Sequence, residues 1–130
     1  MSRHLDWLRQ AENDLAWAAY SMDGGFYAQV CFVAQQAAEK ALKAYCFTKG
    51  FDVVRTHSLF ELVRALGEDG ALENSAKALD LYYISSRYPD AFPAGAPFEL
   101  IGEAQAEQAL REARDIFEAM RKRIKGDGRS

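Results

Sequence analysis

The sequence of 130 residues has few of the features that would build a sheet, cross a membrane or bind DNA through bulk charge. No segment sustains the alternation of apolar and polar residues that is typical of strands. No apolar run approaches the ~18 residues that a membrane span needs, and no signal-peptide core follows Met1. The net charge of −3 and the pI of about 5.4 argue against a protein that coats nucleic acid. We therefore expect a single cytoplasmic, soluble domain over residues 1–130.

Cysteine is also scarce, and its placement excludes a disulfide. Cys31 and Cys46 fall fifteen residues apart within one predicted helix, which separates them by about 22 Å at 1.5 Å per residue. A disulfide tolerates no more than about 7 Å between Cα atoms. Because no second cysteine pair lies nearby, a zinc site is not expected either. The pattern predicts two reduced, partly buried thiols, with no metal and no cofactor.

What the sequence does contain is apolar residues repeated at steps of three and four, which predicts amphipathic helices. Glycine and the three prolines, at positions 89, 93 and 97, separate these segments. A short helix is predicted from a Ser58 capping box, with Glu61 as its partner, to Gly67. The four long helices are predicted over residues 2–22, 26–49, 72–87 and 103–125. Short loops between them favour an all-α, antiparallel up-and-down bundle with its core at about 5–124, an irregular connection at 88–102 and a frayed tail at 126–130.

Three polar clusters are candidates for a functional site, and each also has a purely structural interpretation. In the first, Gln36, Lys40 and Lys43 fall on neighbouring helical turns, and Glu39 with Lys43 forms a favourable i,i+4 pair. Such a strip suits contact with a phosphate or a partner helix. It is equally typical of a solvated helix face held by structural hydrogen bonds.

The second and third clusters lie next to helix ends. His57 directly precedes the Ser58 cap, where it can act as a general acid or base, or simply pack beside the cap. Arg87 stands in the last turn of the helix predicted over 72–87, with Tyr88 and Asp90 just beyond it, and the planar fork of an arginine suits phosphate or carboxylate. An Arg87–Asp90 contact would merely lock that helix end. The basic residues Arg121, Lys122, Arg123 and Lys125 could contact a nucleic-acid backbone, although their place at a helix C-terminus is explained by the helix dipole alone.

Taken together, these elements resemble the HEPN domain family over roughly residues 5–124. The resemblance is carried by Trp7 with Asp14-Leu15, by the block from Gln35 to Ala44, by His57-Ser58-Leu59 and by Arg87-Tyr88-Pro89-Asp90. It implies a helical bundle that is often dimeric and frequently paired with a small nucleotidyltransferase, sometimes as a toxin–antitoxin couple. Family members that are ribonucleases carry an arginine followed, several residues later, by a histidine.

Here Arg87 matches the arginine, but no histidine follows it, so the usual catalytic pair is not carried over. The sequence favours a dimeric module that binds a nucleotide or RNA and a nucleotidyltransferase through Gln36, Lys40, Lys43, His57, Arg87, Tyr88 and Asp90. The alternative is a divergent ribonuclease toxin that uses Arg87 with His57 or Asp90. A purely structural dimerisation unit, suggested by the many aromatic residues, is a third hypothesis. The sequence leaves open whether the protein is an enzyme, and the missing histidine after Arg87 favours a protein that is not one.

Overall fold

Helices supply the regular structure of this protein, which is described by a computed structural model over residues 3–51, 54–68 and 70–127. Within these ranges there is no strand, and no helix is long and apolar enough to span a membrane. The helices are α1 (His4–Asp23), α2 (Tyr27–Thr48), α3 (Leu59–Leu66), α4 (Gly70–Asp80), α5 (Tyr82–Ser85), α6 (Pro97–Leu100) and α7 (Glu103–Asp127), with a 3-10 turn at Pro89–Ala91.

Helix α2 lies at the centre and contacts α1, α7 and the shorter helices. Fully buried alanines line the surfaces on which these helices meet, and such small residues let helix axes approach closely. They are Ala34, Ala38 and Ala41 of α2, Ala11 and Ala18 of α1, and Ala106, Ala109 and Ala113 of α7. Only residues 24–26 join α1 to α2, so these two helices are antiparallel. The predicted all-α bundle is confirmed.

The ends of α2 and α3 follow local chemistry that the sequence predicts, with one exception. Gly50 adopts a left-handed φ of 92° after α2, and the amide of Phe51 donates to the carbonyl of Cys46. Ser58 Oγ accepts from the amide of Glu61 at 3.2 Å, as a capping box requires. The predicted bond from the Ser58 amide to the Glu61 side chain is wrong, because this amide donates instead to Thr56 Oγ1 at 3.0 Å.

The fourth predicted helix, over 72–87, is divided into α4 and α5 by a turn at Leu81. Three successive side chains just beyond it bond to carbonyls four residues earlier. They are Ser85 Oγ to Leu81 at 2.6 Å, Ser86 Oγ to Tyr82 at 2.5 Å and Arg87 to Tyr83. The amide of Ser86 still donates to the Tyr82 carbonyl at 3.4 Å, whereas the amide of Arg87 donates to the carbonyl of Ile84 and leaves that of Tyr83 to the guanidinium. The helix therefore ends at Ser85, before the proline.

The connection predicted as irregular contains short helical segments, and the last helix is longer than predicted. Pro89 and Pro97 each stand at the first position of a short segment, where a proline lacks only an amide that would have no helical partner. Helix α7 extends to Asp127. Two residues of the predicted frayed tail are thus helical, and the other three, 128–130, lie outside the described residues.

Both cysteines are buried on α2 and neither forms a disulfide. Burial raises the pKa of the Cys31 thiol to about 12, an effect that a hydrogen bond with Tyr82 partly offsets. Burial likewise raises the pKa of Cys46 to about 11. Both thiols are fully buried, whereas the sequence predicted partly buried ones.

Candidate functional site

A buried ion pair on α2 forms the base of the candidate site. Lys43 Nζ lies 2.9 Å from Glu39 Oε2, and each side chain is only 7% exposed. This is the predicted i,i+4 pair. Lys43, however, is not part of a solvated strip, because its ammonium is enclosed with Glu39 and is not exposed to ligands. Lys43 therefore stabilises the charge of Glu39 inside the fold, where an unpaired carboxylate would be costly.

Glu39 holds the imidazole of His57, which arrives from the segment before α3. His57 Nδ1 lies 3.2 and 3.1 Å from the two carboxylate oxygens. The carbonyl of His57 accepts from Gln35 Nε2 at 3.0 Å, and Gln36 Nε2 donates to Gln35 Oε1 at 2.7 Å. His57 is thus fixed at both its ring and its main chain, while 53% of its side chain is exposed.

Gln35 belongs to the candidate site although the sequence did not single it out, and the same holds for Tyr83. Gln35 is fully buried, and it is the only side chain among the described residues that bonds to the His57 carbonyl. A glutamine in the middle of an alanine-rich stripe indicates a buried polar partner. Nothing in the spacing indicates that this partner lies 22 residues later along the chain.

Tyr83 joins His57 to Arg87. The rings of His57 and Tyr83 are stacked, with centroids 4.9 Å apart and an interplanar angle of 16°. The guanidinium carbon of Arg87 lies 4.8 Å from the centre of the Tyr83 ring, 4.3 Å from that of Phe32 and 5.0 Å from that of Tyr88. Three aromatic rings therefore surround an arginine whose side chain is itself exposed.

The hydrogen bonds of Arg87 correct one prediction. Its Nε and Nη2 donate to the carbonyl of Tyr83 at 2.9 and 2.7 Å. Within residues 3–51, 54–68 and 70–127 it forms no ion pair, so the expected contact with Asp90 is absent. Asp90 lies exposed in the 3-10 turn Pro89–Ala91. The guanidinium of Arg87 instead donates to the carbonyl of Tyr83, four residues earlier.

Lys40 belongs to a different surface from the other candidates. Its ammonium lies 2.5 Å from Asp14 Oδ2 of α1, and Gln10 Nε2 donates to the same carboxylate at 3.0 Å. Lys40 therefore joins α2 to α1. The predicted residues fall into three groups. Gln36, Lys43 and His57 lie around Glu39, and Arg87 and Tyr88 lie on the other side of Tyr83. Lys40 and Asp90 belong to neither group.

A depression of about 240 Å³ adjoins the imidazole, lined by His57, Ser58, Asp80, Tyr83 and Ile84. Asp80 fixes its rim, because the carboxylate accepts from the amides of Leu59 and Phe60 and from Ser58 Oγ. An imidazole with a carboxylate behind it and a guanidinium nearby suits an anionic ligand, and it also suits proton transfer.

Two of the basic residues near the C-terminus are engaged by carboxylates. Arg121 pairs with Glu118 at 2.7 Å and Arg123 with Glu68 at 2.6 Å. The bond from Arg121 holds the pKa of Glu118 below its ordinary value. No group of three or more potential metal ligands lies together in the described part of the chain.

Comparison with known proteins agrees with this architecture. The family model of the HEPN domain matches residues 4–124. The crystal structure of TT1696 from Thermus thermophilus is similar at 43% sequence identity and a TM-score of 0.88, covering 94% of this chain and 98% of that one. ST0689, an archaeal HEPN homologue, is similar at 37% identity and a TM-score of 0.83, covering 95% and 99%. A comparison with curated proteins found no match.

Proposed function

Because the chain belongs to the HEPN domain family, we propose that it is a binding module that takes up a nucleotide or RNA at Arg87 and acts as a homodimer with a small nucleotidyltransferase. The observation that carries this proposal is that Arg87 is exposed and held in a fixed orientation. Its guanidinium is exposed, oriented by the Tyr83 carbonyl and by three rings, and forms no ion pair among the described residues.

An arginine held in this way is suited to a phosphate group. The planar fork keeps N–H donors beyond the two that bond to Tyr83, and charge-assisted bonds to phosphate are about twice as strong as neutral ones. Because the side chain is already oriented, less conformational freedom is lost on binding. Tyr88 is 49% exposed and offers an aromatic face on which a base can stack.

The test is a titration of the purified protein with ATP, GTP and a labelled single-stranded RNA at several salt concentrations. Replacing Arg87 by alanine should weaken binding at least about tenfold, since a hydrogen bond to a charged group contributes about 1.5–3 kcal/mol. Arg64→Ala is the matched control, because Arg64 is an exposed arginine over a different ring, that of Phe60. Equal affinities of the two variants, or no binding by the unaltered protein, would overturn the proposal.

The proposed homodimer is supported by apolar residues beside Arg87. Leu81 and Ile84 are 72% and 50% exposed and lie three residues apart, and Tyr88, which is 49% exposed, follows in extended backbone beyond α5. Large exposed apolar side chains grouped in this way are typical of an association site. Sedimentation should give a dimer at micromolar concentration, which Ile84→Glu dissociates and Leu5→Glu, on exposed α1 surface, does not. A monomeric unaltered protein would remove this part of the proposal.

The nucleotidyltransferase partner is proposed because HEPN proteins are frequently paired with such enzymes, and it is tested separately. If a small nucleotidyltransferase is encoded next to this protein, co-expression with one tagged chain should recover both in a stable ratio. Failure of the two to purify together would remove the partner and leave nucleotide binding at Arg87 unaffected.

A second candidate function, RNA cleavage by a divergent toxin of this family, is favoured by the Glu39–His57 pair. With the Nδ1 proton directed to Glu39, Nε2 of His57 has a lone pair available, and no side chain of the described residues bonds to it. It could take the proton of a ribose 2′-hydroxyl as the 2′-oxygen bonds to phosphorus. The bond from phosphorus to the 5′-oxygen then breaks, and water protonates the leaving oxygen.

RNA cleavage would require both His57 and Arg87, and this requirement can be tested. Purified protein should cut RNA without added metal and leave 2′,3′-cyclic phosphate ends. Both His57→Ala and Arg87→Ala should abolish cleavage, with a loss of about 10²–10⁴-fold expected for an acid–base group. Intact RNA after incubation with the unaltered dimer would exclude the ribonuclease and leave the binding module standing.

A further inference from the structure

Three aromatic side chains surround a cavity of about 590 Å³ at the turn between α1 and α2. Trp17, Tyr20 and Phe26 are 58%, 80% and 58% exposed, although each would be more stable if it were covered. None of the residues that line this cavity belongs to the site around His57 and Arg87. The cavity volume falls within the range of small-ligand pockets, about 300–1,000 Å³.

The turn that joins the two helices positions Phe26 beside the α1 rings that line the cavity. Trp17 and Tyr20 lie one turn apart on α1, and Phe26 directly precedes α2. The amide of Phe26 donates to the carbonyl of Ser21 at 3.2 Å. Gly24 has no side chain, and a Cβ atom there would lie only 3.0 Å from Cδ2 of the Phe26 ring. The ring therefore packs on the bare backbone of Gly24, which sets its position.

Among the described residues, the polar side chains that line the cavity include one negative charge and no positive charge. A carboxylate from Asp23, a hydroxyl from Ser21 and an amide from Gln29 line it. The side chain of Asp23 is exposed and forms no ion pair within the described residues. Because the face of an aromatic ring carries negative potential, the walls and the carboxylate all favour a positive charge between them.

Elsewhere on this protein, positive charge over an aromatic ring comes from the chain itself. Lys49 lies 5.1 Å from the centre of the Tyr45 ring, Lys77 lies 5.0 Å from that of Phe60, and Arg87 contacts three rings. For the rings of Trp17, Tyr20 and Phe26, no such cation is supplied by the described part of the chain. A cation at this cavity would therefore have to come from a ligand.

We propose that Trp17, Tyr20, Phe26 and Asp23 bind an organic cation, namely a quaternary ammonium group carried by a small molecule or by a methylated lysine. Methyl groups around the charge suit the apolar walls, and rings around such a cation are an established means of recognition. A metal ion does not fit, because a single carboxylate supplies too few of the oxygen ligands that hard cations require. This site is independent of the function proposed for Arg87.

The test follows the fluorescence of Trp17. The chain has two tryptophans, and Trp7→Phe removes the other while keeping an aromatic ring against Phe47. This protein is titrated with choline, with a peptide that contains trimethyllysine, and with 3,3-dimethylbutan-1-ol, the uncharged isostere of choline. We expect a saturable change with at least one of the cations and at least about fivefold weaker binding of the isostere.

Variants then assign the response to the cavity. Tyr20→Leu and Asp23→Asn should each weaken cation binding severalfold, whereas Phe98→Leu, at a 72% exposed ring elsewhere, should not. Preference for choline or for the peptide identifies which source carries the cation. Equal binding of the isostere on the otherwise unaltered protein, or no saturable response to either cation, would overturn the proposal without reliance on any variant.

Discussion

At the scale of single residues, burial decides what each polar side chain on α2 does. The sequence predicts Lys40 and Lys43 in one polar strip, yet Lys43 is enclosed with Glu39 and Lys40 reaches Asp14 on α1. The spacing of α2 predicted the Glu39–Lys43 pair because that contact is local. It could not predict His57 at Glu39, since 18 residues separate them and no local pattern determines how that loop folds back.

Lys43→Met should strongly destabilise the protein. The substitution leaves Glu39, 7% exposed, without its ammonium partner, and breaking a buried ion pair costs about 3–5 kcal/mol. The double variant Glu39→Gln with Lys43→Met should recover most of that loss, because no uncompensated charge remains. Urea denaturation of both, with Lys122→Met at an exposed position as the control, measures the difference. A single variant as stable as the control would contradict this account of Lys43.

The two thiols predict a dependence of stability on alkaline pH. Burial raises the pKa of Cys31 to about 12 and that of Cys46 to about 11, from an ordinary 9.0. Above pH 9 the unfolded chain loses these protons first, so the free energy of unfolding falls as pH rises, by about 1.4 kcal/mol per pH unit for each thiol.

A comparison of unfolding free energies from pH 8 to 10.5 checks this dependence. The double variant Cys31→Ala with Cys46→Ala should show a shallower decline than the unaltered protein, because the other groups that titrate in this range are common to both. Parallel declines would show that the thiols do not contribute.

At the scale of helices, side-chain bonds to the main chain decide where segments begin and end. The guanidinium of Arg87 bonds to the Tyr83 carbonyl, the Arg87 amide bonds to Ile84 instead, and α5 ends at Ser85. Apolar spacing alone favoured an uninterrupted helix to Arg87. Asp80 could not be identified from the sequence as a second acceptor at the N-terminus of α3, beside the Ser58 cap, because it lies 21 residues beyond the Leu59 amide that it accepts from.

Asp80→Ala should lower the free energy of unfolding by about 2 kcal/mol, at the upper end of the cost of losing a helix cap. The carboxylate accepts from two amides of α3 and from Ser58 Oγ, and alanine replaces none of these bonds. Hydrogen exchange at the Leu59 and Phe60 amides should accelerate as well. Asp90→Ala, at an exposed carboxylate, should change stability by less than about 0.5 kcal/mol. Unchanged exchange at these two amides would show that Asp80 does not hold α3.

At the scale of the whole molecule, small residues set the distance between α1, α2 and α7. Helical periodicity predicted the bundle correctly because every long helix must bury one apolar face. The same alanines give no information about the site, since the approach of the His57 segment and of α5 depends on contacts between residues far apart in sequence. The fold could thus be predicted from repeated local patterns, and the site could be predicted only in its separate parts.

Ala41→Leu should destabilise the bundle by about 1–3 kcal/mol, the usual cost of overfilling a tight core. Ala41 is fully buried, and a larger side chain would push the neighbouring helices apart. The matched control, Ala16→Leu, adds the same atoms to an exposed position of α1 and should have little effect. Thermal unfolding of the two variants gives the comparison, and equal melting temperatures would show that close packing at Ala41 is not required.

Helix α2 carries the alanines of the core on some of its faces, and Gln35, Gln36 and Glu39 interleave with them. Substitutions along this stretch therefore affect both the packing of the core and the polar residues of the candidate site. A random substitution that alters recognition here would usually alter folding too, so natural variation and laboratory evolution should find new specificity more readily in the exposed residues around Arg87 than along α2.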